Sequence, residues 1–178
     1  MPVAHGTEEM EAITTVDILR RGGMNVTIAG ESEVVICSRG IRINPDRLID
    51  DIDESEEFDA IVLPGGAQGV ENLSSNDDVR RIVTSHHRRG AVIAAICAAP
   101  LLLKEFGLLE KDAAVTSHPN AAAQLAGYAY STDTVVRYKN LITSRGAGTA
   151  IPFSLAILER LGGEAVATEV AKQIVWEQ

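Results

Sequence analysis

The sequence predicts an α/β fold, a three-layer sandwich in which helices cover both faces of a mostly parallel sheet. Two observations predict it. Short aliphatic runs bounded by Gly or Pro alternate with amphipathic helical segments, which is typical of consecutive βαβ units. In addition, 46% of the residues are hydrophobic but only 4% are aromatic. The core therefore consists mainly of small and branched aliphatic side chains, which suit helices packed on a parallel sheet.

Length, charge and cysteine usage limit the classes of protein that fit. The chain has 178 residues, so we expect a single domain over residues 1–178. A net charge of −9 without a compensating basic run argues against nucleic-acid binding. No apolar run approaches the ~20 residues of a membrane span, and no signal-peptide pattern opens the chain, so we expect a cytoplasmic protein without membrane contact. Two cysteines are too few for a disulfide framework or a Cys-based zinc site, and we expect no metal.

The first half of the chain predicts a short strand, a helix and several further extended segments. Thr7 is the expected N-cap of the helix, which runs to about Arg21 and ends at the following glycine pair. Strands or extended pieces are expected at residues 3–4, 25–29, 34–37, 39–43 and 58–63. The acidic run at residues 50–57 predicts a solvated loop rather than a metal site, because nothing holds its carboxylates in one concave shell.

The second half predicts the centre of the sheet and most of its helices. Residues 91–96 are six apolar residues in a row, typical of a strand buried on both faces. Further strands are expected at residues 113–116 and in a hairpin of residues 135–138 and 141–143. Helices are expected at residues 77–87, 100–107, 121–126, 151–161 and 164–175, the first capped by Ser75 or Asn76.

Cys97 occupies the most informative position in the sequence. It directly follows the strand of residues 91–96, and Pro100 is a plausible first-turn residue of the next helix. Strand, tight turn and helix with a nucleophile at the turn form a nucleophile elbow. A thiol there lies near the positive end of the helix dipole, which favours the thiolate. The alternative is an inert cysteine buried in the core.

Several other turns reach the same carboxyl-terminal edge of the predicted sheet, where ligands bind in such folds. Gly66 and Ala98 are candidate backbone N–H donors for an oxyanion. The residue after Cys97 is Ala98 rather than His, which argues against an amidotransferase or a peptidase. His118 reaches this edge either as a catalytic or substrate-contacting group or as a structural loop residue.

The carboxylates of the first helix are the stronger candidates for a partner of the thiol. Glu11 lies one turn into the helix and is expected to face the cleft, where an enclosed site would raise its pKa. Asp17 lies further along the helix, with either a hydrogen bond in the site or one to the sheet. Glu8 and Glu9 are expected to be surface residues that complement the helix dipole.

These residues closely resemble the ThiJ/PfpI superfamily, more narrowly the branch of the Parkinsonism-associated deglycase and bacterial YajL. The resemblance covers nearly the whole chain. It rests on the residues at 5–11, 16–17, 20–21, 37–39, 63–66, 94–98, 116–119 and 143–149. It implies a flavodoxin-like sandwich, a homodimer, and a reactive dicarbonyl substrate handled without a cofactor.

The resemblance also implies roles for individual residues. Cys97 matches an oxidation-sensitive nucleophile and Glu11 the glutamate that hydrogen-bonds it. Gly66 and Ala98 match oxyanion-hole positions, and His118 matches an active-site histidine. Arg21 and Arg39 match arginines near the dimer interface. The chain departs from the family's pattern at Ala147, at Asn44 and in its short first strand, which we interpret as a clipped or misassigned start.

Two functions from different classes follow. One is a glutathione-independent glyoxalase that converts methylglyoxal to lactate, with a possible protein deglycase activity, acting in carbonyl and oxidative stress protection. The alternative is a non-enzymatic redox sensor or chaperone in which Cys97 is oxidised and the oxidised sulfur is held by Glu11 and backbone donors. The sequence does not separate these functions, because the same reactive thiol serves both.

Overall fold

A computed structural model describes residues 1–53 and 55–177; part of the predicted acidic loop, at Glu54, lies outside them. The strands are β1 Pro2–Val3, β2 Ala29–Gly30, β3 Val35–Ile36, β4 Arg42–Ile43, β5 Arg47–Leu48, β6 Ala60–Leu63, β7 Val92–Ile96, β8 Ala114–Val115, β9 Ala129–Tyr130, β10 Val135–Tyr138 and β11 Leu141–Ser144. The α-helices are α1 Glu9–Arg21, α2 Ala67–Ser74, α3 Asp77–Arg88, α4 Pro100–Glu105, α5 Ala122–Leu125, α6 Ala150–Gly162 and α7 Glu164–Gln173. Short 3₁₀ turns at Pro119–Ala121 and Ala147–Thr149 precede α5 and α6.

The centre of the molecule is a four-stranded sheet in the order β10–β11–β7–β6. β6, β7 and β11 run parallel, and β10 pairs antiparallel with β11 through the predicted hairpin. Beside β6 lies β1, which belongs to a parallel ladder of order β1–β2–β5. The parallel central strands place the ends of β6, β7 and β11 at one edge, and the candidate site forms there.

Alternate residues of the central strands face opposite layers of helices, as the pleat of a strand requires. On β7, Ile93 and Ala95 pack into a core shared with α2, α3 and α4. Its neighbours Ala94 and Ile96 pack into a second core shared with α1, α6 and α7. The predicted three-layer α/β sandwich with a mostly parallel sheet is therefore confirmed.

The helix boundaries differ from the prediction at two places. Thr7 is not the N-cap of α1: that position is Glu8, and the Thr7 hydroxyl instead accepts a hydrogen bond from the Ala4 N–H at 3.1 Å. Helix α2 was not predicted, because its start after Gly66 and its internal Gly69 resemble a loop. By contrast Asn76, one of two predicted caps, accepts a hydrogen bond from the Val79 N–H at 3.0 Å at the start of α3.

The strand expected at residues 25–29 shrinks to Ala29–Gly30, because β1 offers it only two pairing residues, Pro2 and Val3. Within residues 1–53 and 55–177, no helix is long and apolar enough to cross a membrane. The same residues contain no cluster of three or more His, Cys, Asp or Glu suited to a metal ion.

Candidate active site

Cys97 forms the predicted elbow between β7 and α4. Its φ of 65° is a left-handed conformation, which a non-glycine residue adopts only where its surroundings hold it. Those surroundings are two hydrogen bonds: the Cys97 N–H donates to the carbonyl of Ser144 at 3.1 Å, and the His118 N–H donates to the carbonyl of Cys97 at 2.8 Å. The thiol is thereby held at the carboxyl-terminal edge of the sheet.

Two backbone N–H groups, those of Gly66 and Ala98, hydrogen-bond the Cys97 sulfur. Gly66 follows β6 with a φ of 92°, and a Cβ there would lie 2.2 Å from the carbonyl oxygen of Gly6. Only glycine can take this conformation at such close approach. The two predicted oxyanion donors therefore converge on the thiol from neighbouring strands.

Glu11 points from the first turn of α1 into the same place and is fully buried. Its Oε2 accepts a hydrogen bond from the Gly65 N–H at 2.7 Å. A Cβ on Gly65 would lie 2.5 Å from Cβ of Cys97 and 2.7 Å from that Oε2, so glycine is what lets the thiol and the carboxyl approach. The other carboxyl oxygen, Oε1, is buried without a hydrogen bond of standard geometry to any residue that the structure describes.

The electrostatics of the pair keep the proton on the resting thiol and bring the carboxyl close to neutrality. Burial raises the pKa of Glu11 to about 7, against the lowering effect of the Gly65 N–H and the Cys97 thiol. Burial, and then the Glu11 charge, raise the pKa of Cys97, while the N–H groups of Gly66 and Ala98 lower it. The lowered thiol pKa expected from the helix dipole is therefore wrong for the resting site, because burial and a carboxylate outweigh it.

These groups open onto a cleft that is also lined by His118 and Arg39. The Nδ1 of His118 accepts a hydrogen bond from the Asn120 N–H at 3.2 Å, which leaves Nε2 to act as a donor toward the cleft. Arg39 is exposed at the rim. The arrangement thus combines a thiol, a carboxyl of near-neutral pKa, two backbone donors and an imidazole, which together suit nucleophilic addition to a carbonyl followed by proton transfer.

Residues 1–160 match the model of the DJ-1/PfpI family. The chain belongs to this family. It is 43% identical to Protein DJ-1alpha of Drosophila melanogaster over 178 residues, covering 98% of this chain and 82% of that protein. It is 39% identical to the glutathione-independent glyoxalase DJR-1.2 of Caenorhabditis elegans, covering 88% of this chain and 83% of that protein. The crystal structure of Drosophila melanogaster DJ-1beta superposes with a TM-score of 0.95 at 42% identity, over 99% of this chain and 96% of that one.

These comparisons confirm the family and the fold that the resemblance implied. Two residues that were expected to support the site do not line its cleft. Asp17 neither enters the cleft nor contacts the sheet; it is exposed and forms an ion pair with Arg21 at 2.9 Å. The six residues from Glu11 to Asp17 turn the helix by roughly 600°, so the two side chains point about 120° apart.

The structure also corrects the expectation for the two preceding glutamates. Glu9 is buried rather than on the surface, and its carboxylate accepts a hydrogen bond from the Arg39 N–H at 2.8 Å. The Ser38 hydroxyl lies 2.7 Å from a carboxylate oxygen of each glutamate, and Glu8 lines the DJ-1/PfpI cleft. Glu8 and Glu11 are three residues apart and so share one helix face, which could have predicted that Glu8 reaches the cleft. No local pattern in the sequence indicated that residues 38–39 fold over Glu9.

Proposed function

We propose that this chain is a cofactor-independent glyoxalase that converts methylglyoxal to lactate. The observation that carries the proposal is the fully buried Glu11 carboxyl, held against the Cys97 thiol with one oxygen unpaired. A relative that is 39% identical is named a glutathione-independent glyoxalase, which supports this reaction over others of the same thiol.

The first step is addition of the thiol to the aldehyde. Glu11, with a pKa raised to about 7, takes the proton of Cys97 as the sulfur bonds to C1 of methylglyoxal. The same carboxyl then returns this proton to the former aldehyde oxygen, which gives a neutral hemithioacetal. Because Gly66 and Ala98 direct N–H groups at the sulfur, they stabilise negative charge during the addition.

The second step is an isomerisation within the bound substrate. Ionised Glu11 removes the proton from C1 to form an enediolate and delivers it to C2, while the hydroxyl proton on the C1 oxygen passes to the C2 oxygen. C1 is thereby oxidised to the thioester and C2 is reduced to the alcohol, so no external oxidant or reductant is required. His118 hydrogen-bonds the substrate oxygens through Nε2. Water then cleaves the thioester, which releases lactate and restores the thiol.

The test is lactate formation from methylglyoxal by purified protein, without glutathione or added metal. Wild type should turn over and Cys97→Ser should not, because an alcohol is a far weaker nucleophile than a thiol. Thr14→Val is a matched control, since Thr14 lies on α1 but is not one of the residues that line the cleft. Absence of lactate from folded, reduced wild type overturns the proposal.

The redox-sensor alternative is the function that this negative result would favour. Oxidation of Cys97 would add oxygens to a sulfur that already receives two backbone N–H bonds and lies beside Glu11. Mass spectrometry during peroxide titration would then show oxidation of Cys97 in wild type. The discriminating comparison is Glu11→Gln, which should reduce turnover by roughly 10²–10⁴ while the thiol still oxidises.

We also propose, as the resemblance implies, a deglycase activity and a homodimer. A glycated amine would enter the same cleft, since Arg39 and Asn120 at its mouth are exposed, and its release should depend on Cys97. Exposed apolar side chains on α1 and the β3–β4 hairpin support a dimer: Met10, Ile13, Val34, Ile36 and Ile41. Light scattering tests the dimer, and fractionation of the source cells tests the expected cytoplasmic location.

A further inference from the structure

Two hydroxyl groups are buried in the contact between α1 and α6. Thr15 of α1 and Ser154 of α6 are both fully buried. The surrounding contact is apolar, with Ile18 and Leu19 of α1 packed in one cluster with Phe153 and Ile157 of α6. A polar pair in such a place requires complete hydrogen bonding, since an unpaired buried hydroxyl is unfavourable.

The two hydroxyls form a chain that ends on the main chain of Glu11. The Thr15 hydroxyl donates to the carbonyl oxygen of Glu11 at 2.7 Å. Its single hydrogen is used there, so Thr15 acts as acceptor toward Ser154, whose Oγ lies 2.9 Å away. The single hydroxyl hydrogen of Ser154 is shared between Thr15 Oγ1 and the carbonyl oxygen of Ala150, which lies 2.6 Å from Ser154 Oγ, in a three-centre bond that connects the chain to the first turn of α6.

We propose that Thr15 and Ser154 are positioning residues that fix the backbone of Glu11, so that its carboxyl stays between the Gly65 N–H and the Cys97 thiol. An error of about 1 Å at a reacting group can reduce a rate by roughly 10²-fold, so the register of α1 matters. Apolar packing alone is non-directional and permits small shifts of one helix along another. The hydroxyl chain supplies the directional contact.

This inference deepens the proposed function and rests on it for any effect on lactate formation. Its effect on the thiol does not depend on methylglyoxal chemistry, so alkylation of Cys97 is a second, separate readout. The rate of alkylation by iodoacetamide is followed across the pH range in which Glu11 titrates. The other ionisable groups that act on Glu11 are Cys97 itself and Glu8, and every variant below retains both.

The decisive variant is Thr15→Val, which keeps the side-chain shape and removes the hydroxyl. Thr15→Ser restores the hydroxyl and serves as the conservative rescue. Thr14→Val is the matched control, because Thr14 is half-buried on the same helix and makes no side-chain hydrogen bond among the residues described. Circular dichroism and urea unfolding verify that each variant is folded before kinetics are compared.

We expect Thr15→Val to lower kcat for lactate roughly tenfold with little change in KM. We also expect the pH midpoint of Cys97 alkylation to fall, because a looser α1 lets water reach a carboxyl whose pKa is raised mainly by burial. Thr15→Ser and Thr14→Val should match wild type. Ser154→Ala should give a smaller effect, since Thr15 can still bond to Glu11.

The possible outcomes separate this inference from the proposed function. A folded Thr15→Val with the kcat and the alkylation profile of wild type overturns the inference, as does an equal change in Thr14→Val. A shifted alkylation profile in protein that forms no lactate, wild type included, supports the positioning role and overturns the glyoxalase. Lactate formation together with an unshifted pH profile of Cys97 alkylation in Thr15→Val supports the glyoxalase proposal and rejects the positioning role.

Discussion

Cys97 and Cys37 line the same cleft but differ in what surrounds each sulfur. Both have a raised pKa because of burial and nearby carboxylates: Glu11 acts on Cys97, and Glu9 and Glu8 act on Cys37, whose pKa rises to about 11. Only Cys97 also receives two backbone N–H groups that favour its thiolate. Cys37 is instead buried in an apolar cluster with Val35 and Ile43 of the hairpin strands.

The comparison shows that the resting pKa alone does not identify a reactive cysteine. Cys97 has an acceptor for its proton, donors for its negative charge and access to the cleft. Cys37 has carboxylates beside it but no donor that lowers its pKa. The strained φ of 65° at Cys97 is a further difference.

Removal of the proton acceptor beside Cys97 is the change with the largest expected effect. Glu11→Gln keeps the shape and the acceptor for the Gly65 N–H but cannot take a proton. We expect kcat/KM for methylglyoxal to fall by roughly 10²–10⁴, measured by lactate formation. Asp17→Asn is the control, because this carboxylate lies on the same helix but pairs with Arg21 in solvent. Full activity in Glu11→Gln would contradict the mechanism.

The same substitution should change how stability depends on pH. The folded pKa of Glu11 is raised from 4.5 to about 7, so between these values the native state binds more protons than the unfolded state. Stability is therefore fully present below about pH 4.5 and falls as the pH rises towards 7. Over this pH range the contribution of Glu11 to the free energy of unfolding falls by about 3 kcal/mol. In urea titrations, the free energy of unfolding of Glu11→Gln relative to wild type should increase by this amount from acid to alkaline pH. Asp17→Asn should lose stability with rising pH as wild type does.

Separation of the carboxyl from the thiol should weaken catalysis without removing either group. In Gly65→Ala the added Cβ would lie 2.5 Å from Cβ of Cys97 and 2.7 Å from Oε2 of Glu11, so both must shift. We expect kcat/KM to fall by roughly 10²-fold. The matched control is Gly127→Ala, where nothing lies within 4 Å of the added Cβ. Equal effects of the two substitutions would show that the close approach is unimportant.

The same contrast explains what the sequence could predict. The elbow at Cys97 was predictable, since strand, thiol and helix follow one another directly in the sequence. Glu11 was predictable from its place one turn into α1. The surroundings of Cys37 were not predictable, because they depend on residues 38–39, which fold over Glu9 from some 30 positions along the chain. Long-range hydrogen bonds of this kind leave no periodicity in a sequence.

The structure brings some of the expected site residues together and separates others. Glu11, Gly66, Ala98 and His118 converge on Cys97 or its cleft in the structure. Asp17 and Arg21 instead pair with each other on the exposed face of α1. Helical rotation accounts for this separation, and it could have been applied to the sequence alone.

The smallest expected effect concerns Cys37 itself. The Glu9 charge is one of the causes that raise the pKa of the Cys37 thiol, after burial. Glu9→Gln removes that charge and can still accept the Arg39 N–H. We expect the pKa of Cys37 to fall by on the order of half a pH unit, measured by iodoacetamide alkylation as a function of pH with Cys97→Ser as the common background. An unchanged profile would exclude the Glu9 charge as a cause and leave burial and Glu8 to account for the raised pKa of Cys37.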